Sequence, residues 1–117
     1  MEIRERELEG IKILDLKGKV TKGESEAQLR DRILDLHEDG HTRLIINLGG
    51  VPYIDSSGLG ELVRCFTSMR RAGGRMGLTN LNQRVVDVLR ITKLGDIFET
   101  YSSEADAAKA MKQNRAR

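Results

Sequence analysis

The sequence predicts an α/β fold: a mainly parallel mixed sheet with flanking helices, its elements in the order ββαβαβαβα. Three observations carry that reading. Leu44-Ile45-Ile46-Asn47-Leu48 is a nearly uniform apolar run of strand length, as expected of a strand buried on both faces. Stretches with apolar residues at helical spacing alternate with this run and with shorter strand-like runs. Alternation at this length implies right-handed βαβ crossovers, which build a parallel sheet.

Taken in order, Ile3 to Leu8 is weakly patterned and reads as an edge strand, with Glu9-Gly10 as the turn behind it. Ile11 to Leu16 places Ile11 and Ile13 in one phase and Leu14 and Leu16 in the other. That predicts a bulge or a strand covered on both faces. Gly18 to Glu24 is a loop. Ser25 and Gln28 have the spacing of a capping box, and Leu29, Ile33 and Leu36 come after them at i, i+4 and i+7 until Gly40 ends the helix. The Leu44–Leu48 strand should be central. Gly49 to Asp55, with the only proline, Pro52, connects it to a helix from about Ser57 that carries Leu59, Leu62, Val63, Phe66 and Met69 on one stripe.

Gly73-Gly74 ends that second helix. Arg75 to Thr79 is a short strand, and Gln83 to Ile91 is a helix showing Val85, Val86 and Leu89, closed by Lys93-Leu94-Gly95. Ile97 to Tyr101 is the last strand. Ser103 caps a final helix with Ala105, Ala108 and Met111 on its inner stripe. A single domain is expected over 1–112, with a frayed tail over 113–117.

Composition narrows the function. The chain has 117 residues, 38% hydrophobic and 32% charged but only 3% aromatic, with no Trp. Such a chain folds around an aliphatic core. Twenty basic and 18 acidic residues leave a net charge of +2, which argues against nucleic acid as a partner. The one aromatic among Arg64, Arg70, Arg71 and Arg75 is Phe66, on the apolar stripe of its helix, so none is placed to stack on bases. One cysteine, no apolar leader and no run of ~20 apolar residues together point to a reducing cytoplasm without membrane insertion. No long apolar patch calls for a second copy, so a monomer is expected.

Motifs of catalysis are missing. No segment supplies Gly-x-x-x-x-Gly-Lys-Ser/Thr, and Gly58-Leu59-Gly60 lacks the third glycine of a dinucleotide fingerprint. Ser56 is flanked by Asp55 and Ser57, not by the glycines of a hydrolase elbow. His37 and His41 are separated by a helix-ending glycine, and one cysteine leaves a zinc site short of ligands. Cys65 reads as a packing residue. The chain is therefore expected not to be an enzyme, and no cofactor or metal is implied.

The segment behind the central strand is less ordinary. Asp55, Ser56 and Ser57 all favour N-caps, and any of them suits the start of the second helix. Gly58 and Gly60 occupy its first turn, although glycine costs about 1 kcal/mol against alanine in a helix. Two readings stand side by side. Glycine lets the turn pack tightly against the sheet, or it leaves the backbone open for another protein to approach.

At this motif the chain resembles the STAS family, in its anti-sigma factor antagonist branch. The resemblance rests on Leu48, Val51, Tyr53 and Ile54-Asp55-Ser56-Ser57-Gly58-Leu59-Gly60. It runs on through Leu62, Arg71-Ala72-Gly73-Gly74, Leu78, Asn80, Val85, Leu89, Thr92-Lys93-Leu94 and Ile97-Phe98, with Gly18-Lys19-Val20 agreeing more weakly. It implies a mixed sheet in the order derived above. It also implies that the unphosphorylated protein binds an anti-sigma factor, a serine kinase of the histidine-kinase-like ATPase type. Phosphorylation would release that partner, and a serine phosphatase would reset the switch. By this resemblance the phosphoacceptor is Ser56, and the partner-binding residues are Thr21, Asp55, Ser56, Ser57, Gly58, Leu59 and Gly60. Members of the family often carry an acidic residue where this chain has Thr21. The alternative is a scaffold subunit of a stress-signalling or lipid-transport complex, never phosphorylated.

Overall fold

Glu9 and Gly10 both take left-handed backbone angles, with φ of 51° and 84°, so a two-residue turn closes an antiparallel hairpin. Its strands are β1 (Glu2–Leu8) and β2 (Ile11–Lys17), paired from Glu2 with Lys17 to Leu8 with Ile11. The remaining elements are α1 (Glu24–Glu38), β3 (Arg43–Gly50), α2 (Ser56–Arg71), β4 (Arg75–Thr79), α3 (Gln83–Thr92), β5 (Glu99–Tyr101) and α4 (Glu104–Gln113). The computed structural model describes residues 1–113. The tail expected over 113–117 lies outside the described residues, apart from Gln113, on which α4 ends.

The five strands lie in the order β1-β2-β3-β4-β5, antiparallel at the first pair and parallel thereafter. The apolar run of β3 therefore sits at the centre, as predicted. Both readings of the β2 pattern hold. Leu14 and Leu16 face the main core with Leu29, Leu62 and Phe66, while Ile11 and Ile13 meet Ala107, Ala108 and Met111 of α4 on the other face. The register between β2 and β3 also shifts after Asp15.

Four local expectations need correction. Gly23, not Ser25, is the N-cap of α1, and it makes no side-chain cap. The helix begins one residue before Ser25, which places that hydroxyl inside the first turn. α2 begins at Ser56, a residue early, because Asp55 takes the cap. β5 spans three residues, not five: Ile97 lies outside it, and Phe98 turns into the core edge-on to Phe66, ring centres 5.4 Å apart. On α4 the inner stripe is Ala107, Ala108 and Met111, and Ala105 is exposed. Ser103 does cap α4, accepting from the Asp106 N–H at 3.1 Å. Among the described residues no helix is long and apolar enough to cross a membrane.

Candidate functional site

Parallel strands send their C-terminal ends to one edge of the sheet, and there the loops after β2, β3 and β4 converge, the usual place for a site in open α/β sheets. The loop after β2 runs alongside the loop after β3 as if the two strands continued. The Gly18 N–H donates to the Gly50 carbonyl (2.9 Å), Val20 N–H to Tyr53 (3.1 Å), and Asp55 N–H back to Val20 (3.2 Å). Val20 and Ile54 form a parallel bridge, and both are buried. From the third loop, the Asn82 side chain donates to the Val51 carbonyl at 2.7 Å. The segment before α2 is thus held from both sides.

Asp55 completes the join. One carboxylate oxygen accepts from the Gly58 N–H (2.8 Å) and caps α2; the other accepts from the Lys22 N–H (2.9 Å) in the neighbouring loop. Those two backbone donors, Gly58 before Lys22, hold the Asp55 carboxyl below its ordinary range, because they favour the charged form. Ser25 works on the same loop from its far side. Its hydroxyl accepts from the Thr21 N–H (2.8 Å) and donates to the Thr21 carbonyl (2.9 Å). The residue expected to cap α1 instead fixes Thr21.

Ser56 is the first residue of α2 and is exposed; Ser57 is half-buried. The two glycines divide the readings left open by the sequence. Gly58 is buried, and a Cβ there would lie 2.2 Å from the Val20 carbonyl oxygen, so only glycine lets the β2–α1 loop rest on the turn. Gly60 is exposed, and a Cβ there would meet nothing within 4 Å, so it leaves the outer face open. Thr21, Asp55, Ser56, Ser57 and Gly58 are therefore brought together, with Gly60 one turn along. Leu59 is 3% exposed and seats the helix on the core, so it offers a partner almost no surface.

Three residues of this region had no site role assigned from the sequence, although Val20 and Tyr53 fall within the resemblance. Val20 and Lys22 act through backbone groups, which no side-chain pattern reveals. Tyr53, 39% exposed beside the cap, is an aromatic in a chain nearly without them, and that rarity is the signal that could have found it. The residues set aside stand where chain logic puts them: His37 is exposed in the last turn of α1, and His41 lies beyond Gly40. The Cys65 thiol is pushed up to about 12, by burial first and the Glu61 charge second, so almost no thiolate exists at neutral pH.

An exposed serine thus stands at the N-terminus of α2, in a frame that hydrogen bonds between three loops tie together. The sequence pattern of the STAS domain matches residues 2–107. Over 71 residues the chain is 39% identical to the anti-sigma-B factor antagonist of Bacillus subtilis, covering 61% of this chain and 64% of that protein. It is 31% identical over 110 residues to the anti-sigma-B factor antagonist of Listeria monocytogenes, covering 91% of each. Among solved structures, the tm1081 protein of Thermotoga maritima superposes with a TM-score of 0.88 at 23% identity, covering 94% of each chain. The Bacillus cell fate determinant SpoIIAA, solved in its phosphorylated form, gives 0.70 at 20% identity over 93% of this chain and 99% of that one. The chain belongs to the STAS domain family, in its anti-sigma factor antagonist branch.

Proposed function

We propose that this protein is the antagonist in a phosphorylation-controlled partner switch of the cytoplasm. Unphosphorylated, as a monomer, it binds an anti-sigma factor that is also a serine kinase of the histidine-kinase-like ATPase type. Transfer of phosphate to Ser56 ends the binding, and a serine phosphatase restores it. Thr21, Asp55, Ser56, Ser57, Gly58 and Gly60 form the contact region, with Leu59 beneath it. The observation that carries this reading is the exposure of Ser56 at the first position of α2, beside the cap residue that ties in the Thr21 loop. The phosphorylated form of SpoIIAA supports it by analogy of fold.

The physics separates binding from folding. A phosphoserine carries about −1.5 to −2 charges at neutral pH. At the start of α2 that charge meets the positive end of the helix dipole, which the fold tolerates. At an interface shaped around a hydroxyl, the dianion must shed water next to the Asp55 carboxylate. A loss of roughly 3–4 kcal/mol corresponds to two to three orders of magnitude in affinity.

The test is incubation with the purified cognate kinase and ATP, mapping of the phosphopeptide, and calorimetry of the two forms. The reading expects phosphate on Ser56, binding by the unmodified protein, and binding reduced by two to three orders of magnitude in the phosphorylated form or in Ser56→Asp. Label confined to Ser57 would remove the assignment. A protein that is never phosphorylated, and that co-purifies with a membrane transport complex, would instead be the scaffold subunit.

A further inference from the structure

A cleft of about 130 Å³ opens between α1 and α2, walled by Ile33, Leu34, Cys65 and Met69, with Arg30 and Arg64 at one end. A cavity of about 150 Å³ takes a benzene-sized molecule, so this one is the size of a single aromatic or branched aliphatic side chain. Leu34 stands at its lip, 45% exposed, on a helix whose neighbouring Asp31 and Asp35 are exposed acids. One exposed leucine needs no explanation, but one bordering an apolar cleft extends the apolar surface.

The charged end is also unusual. Glu61 is only 4% exposed, with Arg30 Nη1 3.2 Å and Arg64 Nη1 3.8 Å from its carboxylate. Burying a carboxylate is costly, and its effect here is to hold two guanidinium groups at the mouth of the cleft. Arg30 also lies 3.8 Å from Asp31. Arg64, with its side chain 72% exposed and its pairing to Glu61 long, is the cation that faces outward, and a guanidinium presents a fork suited to a carboxylate.

Position links the cleft to Ser56. Ser56, Gly60 and Arg64 succeed one another at i, i+4 and i+8 along one outward line of α2, and eight residues of helix span about 12 Å. A protein interface of standard size covers about 800 Å² on each partner, a disc of roughly 16 Å radius, so one centred on Ser56 reaches Arg64 and the cleft mouth. The bare Gly60 leaves the path between them unobstructed.

We infer that the α1–α2 cleft is a second anchor point of the partner interface, receiving one apolar side chain of the partner while Arg64 meets a carboxylate beside it. The inference rests on the partner-binding reading of Ser56. Filled, well-desolvated pockets are where binding energy concentrates in protein interfaces, so the cleft contributes to affinity and Arg64 to orientation.

The experiment is calorimetric titration of the purified ATPase-type kinase that phosphorylates Ser56 with the wild type and with Leu34→Asp, Arg64→Glu and Ser68→Trp. All three positions lie at or beside the cleft, and melting temperatures check that the folds are kept. Ser68→Trp fills the cleft from its rim without changing charge. Each folded variant is expected to bind at least tenfold more weakly than the wild type. Wild-type binding that phosphorylation abolishes, together with variants binding within twofold of wild type, would overturn the cleft and leave the Ser56 reading standing. A wild type that does not bind the kinase would overturn the Ser56 reading, and this inference with it.

Discussion

Asp55 is the residue on which the site turns. Its two oxygens serve two different elements, the first turn of α2 and the loop carrying Thr21. Asp55→Ala removes a cap worth about 0.5–2 kcal/mol, and urea denaturation should show a loss in that range. The carboxyl is held below the ordinary aspartate value of 3.8 in the folded protein. Its contribution is therefore complete above that value and is lost as pH falls through the lower, folded-state value. The stability gap between wild type and Asp55→Asn should accordingly be constant near neutrality and narrow in acid; a gap independent of pH would show that the charge is not what holds the loop. The neighbouring glycines give a paired test. Gly58→Ala drives a methyl into the Val20 carbonyl and should cost about 1–3 kcal/mol as overpacking does. Gly60→Ala meets nothing and should gain up to about 1 kcal/mol from helix propensity. Both are read by the same denaturation. Sequence could name both glycines but could not tell them apart, since only the neighbour across space distinguishes them.

Among the elements, α4 depends most on tertiary contacts. It covers Ile11, Ile13 and Ile45 on the back of the sheet, through Ala107, Ala108 and Met111. A helix of 10 residues is too short to hold its form in water unaided. Arg75 on β4 fastens it, donating to the Ala110 carbonyl at 3.1 Å while it pairs with Glu99 of β5. Hydrogen bonds to charged groups contribute about 1.5–3 kcal/mol each. Arg75→Met should lower stability by about that amount and release the α4 amides to hydrogen exchange ahead of those of α2. Equal protection in both helices would show that the clamp is not what docks α4. The helix was legible from its Ser103 cap, but its inner face was not. Ala105 and Ala108 fit a helical stripe as well as Ala107 does, and the docking angle on the sheet decides between them.

For the molecule as a whole, parallel pairing of β2, β3 and β4 gathers three loops at one end and leaves α2 pointing its N-terminus outward. The frame is fixed by backbone bonds between the loops, so a phosphate on Ser56 should leave the fold intact. The expected change in unfolding free energy is within about 1 kcal/mol, the scale of a charge at a helix terminus. Amide shifts should be confined to residues 18–23 and 51–60 in the ¹H–¹⁵N spectrum. Changes spreading through β4 and α4 would mean that the switch works by refolding and not at the surface.

By itself the sequence determined the element order, the central place of β3, the hairpin turn at Glu9-Gly10 and the helix start that forms the candidate site. These arise from local periodicity and from residues with strong backbone preferences, which act over a few positions. Tertiary structure alone decided that Asp55 is the cap, that Ser25 holds Thr21, and that Gly58 packs while Gly60 stays open. Each of those depends on how segments meet in space: Lys22 and Val20 come to the turn of α2 from the loop after β2. A contact between residues 33 positions apart leaves no periodic trace in either segment.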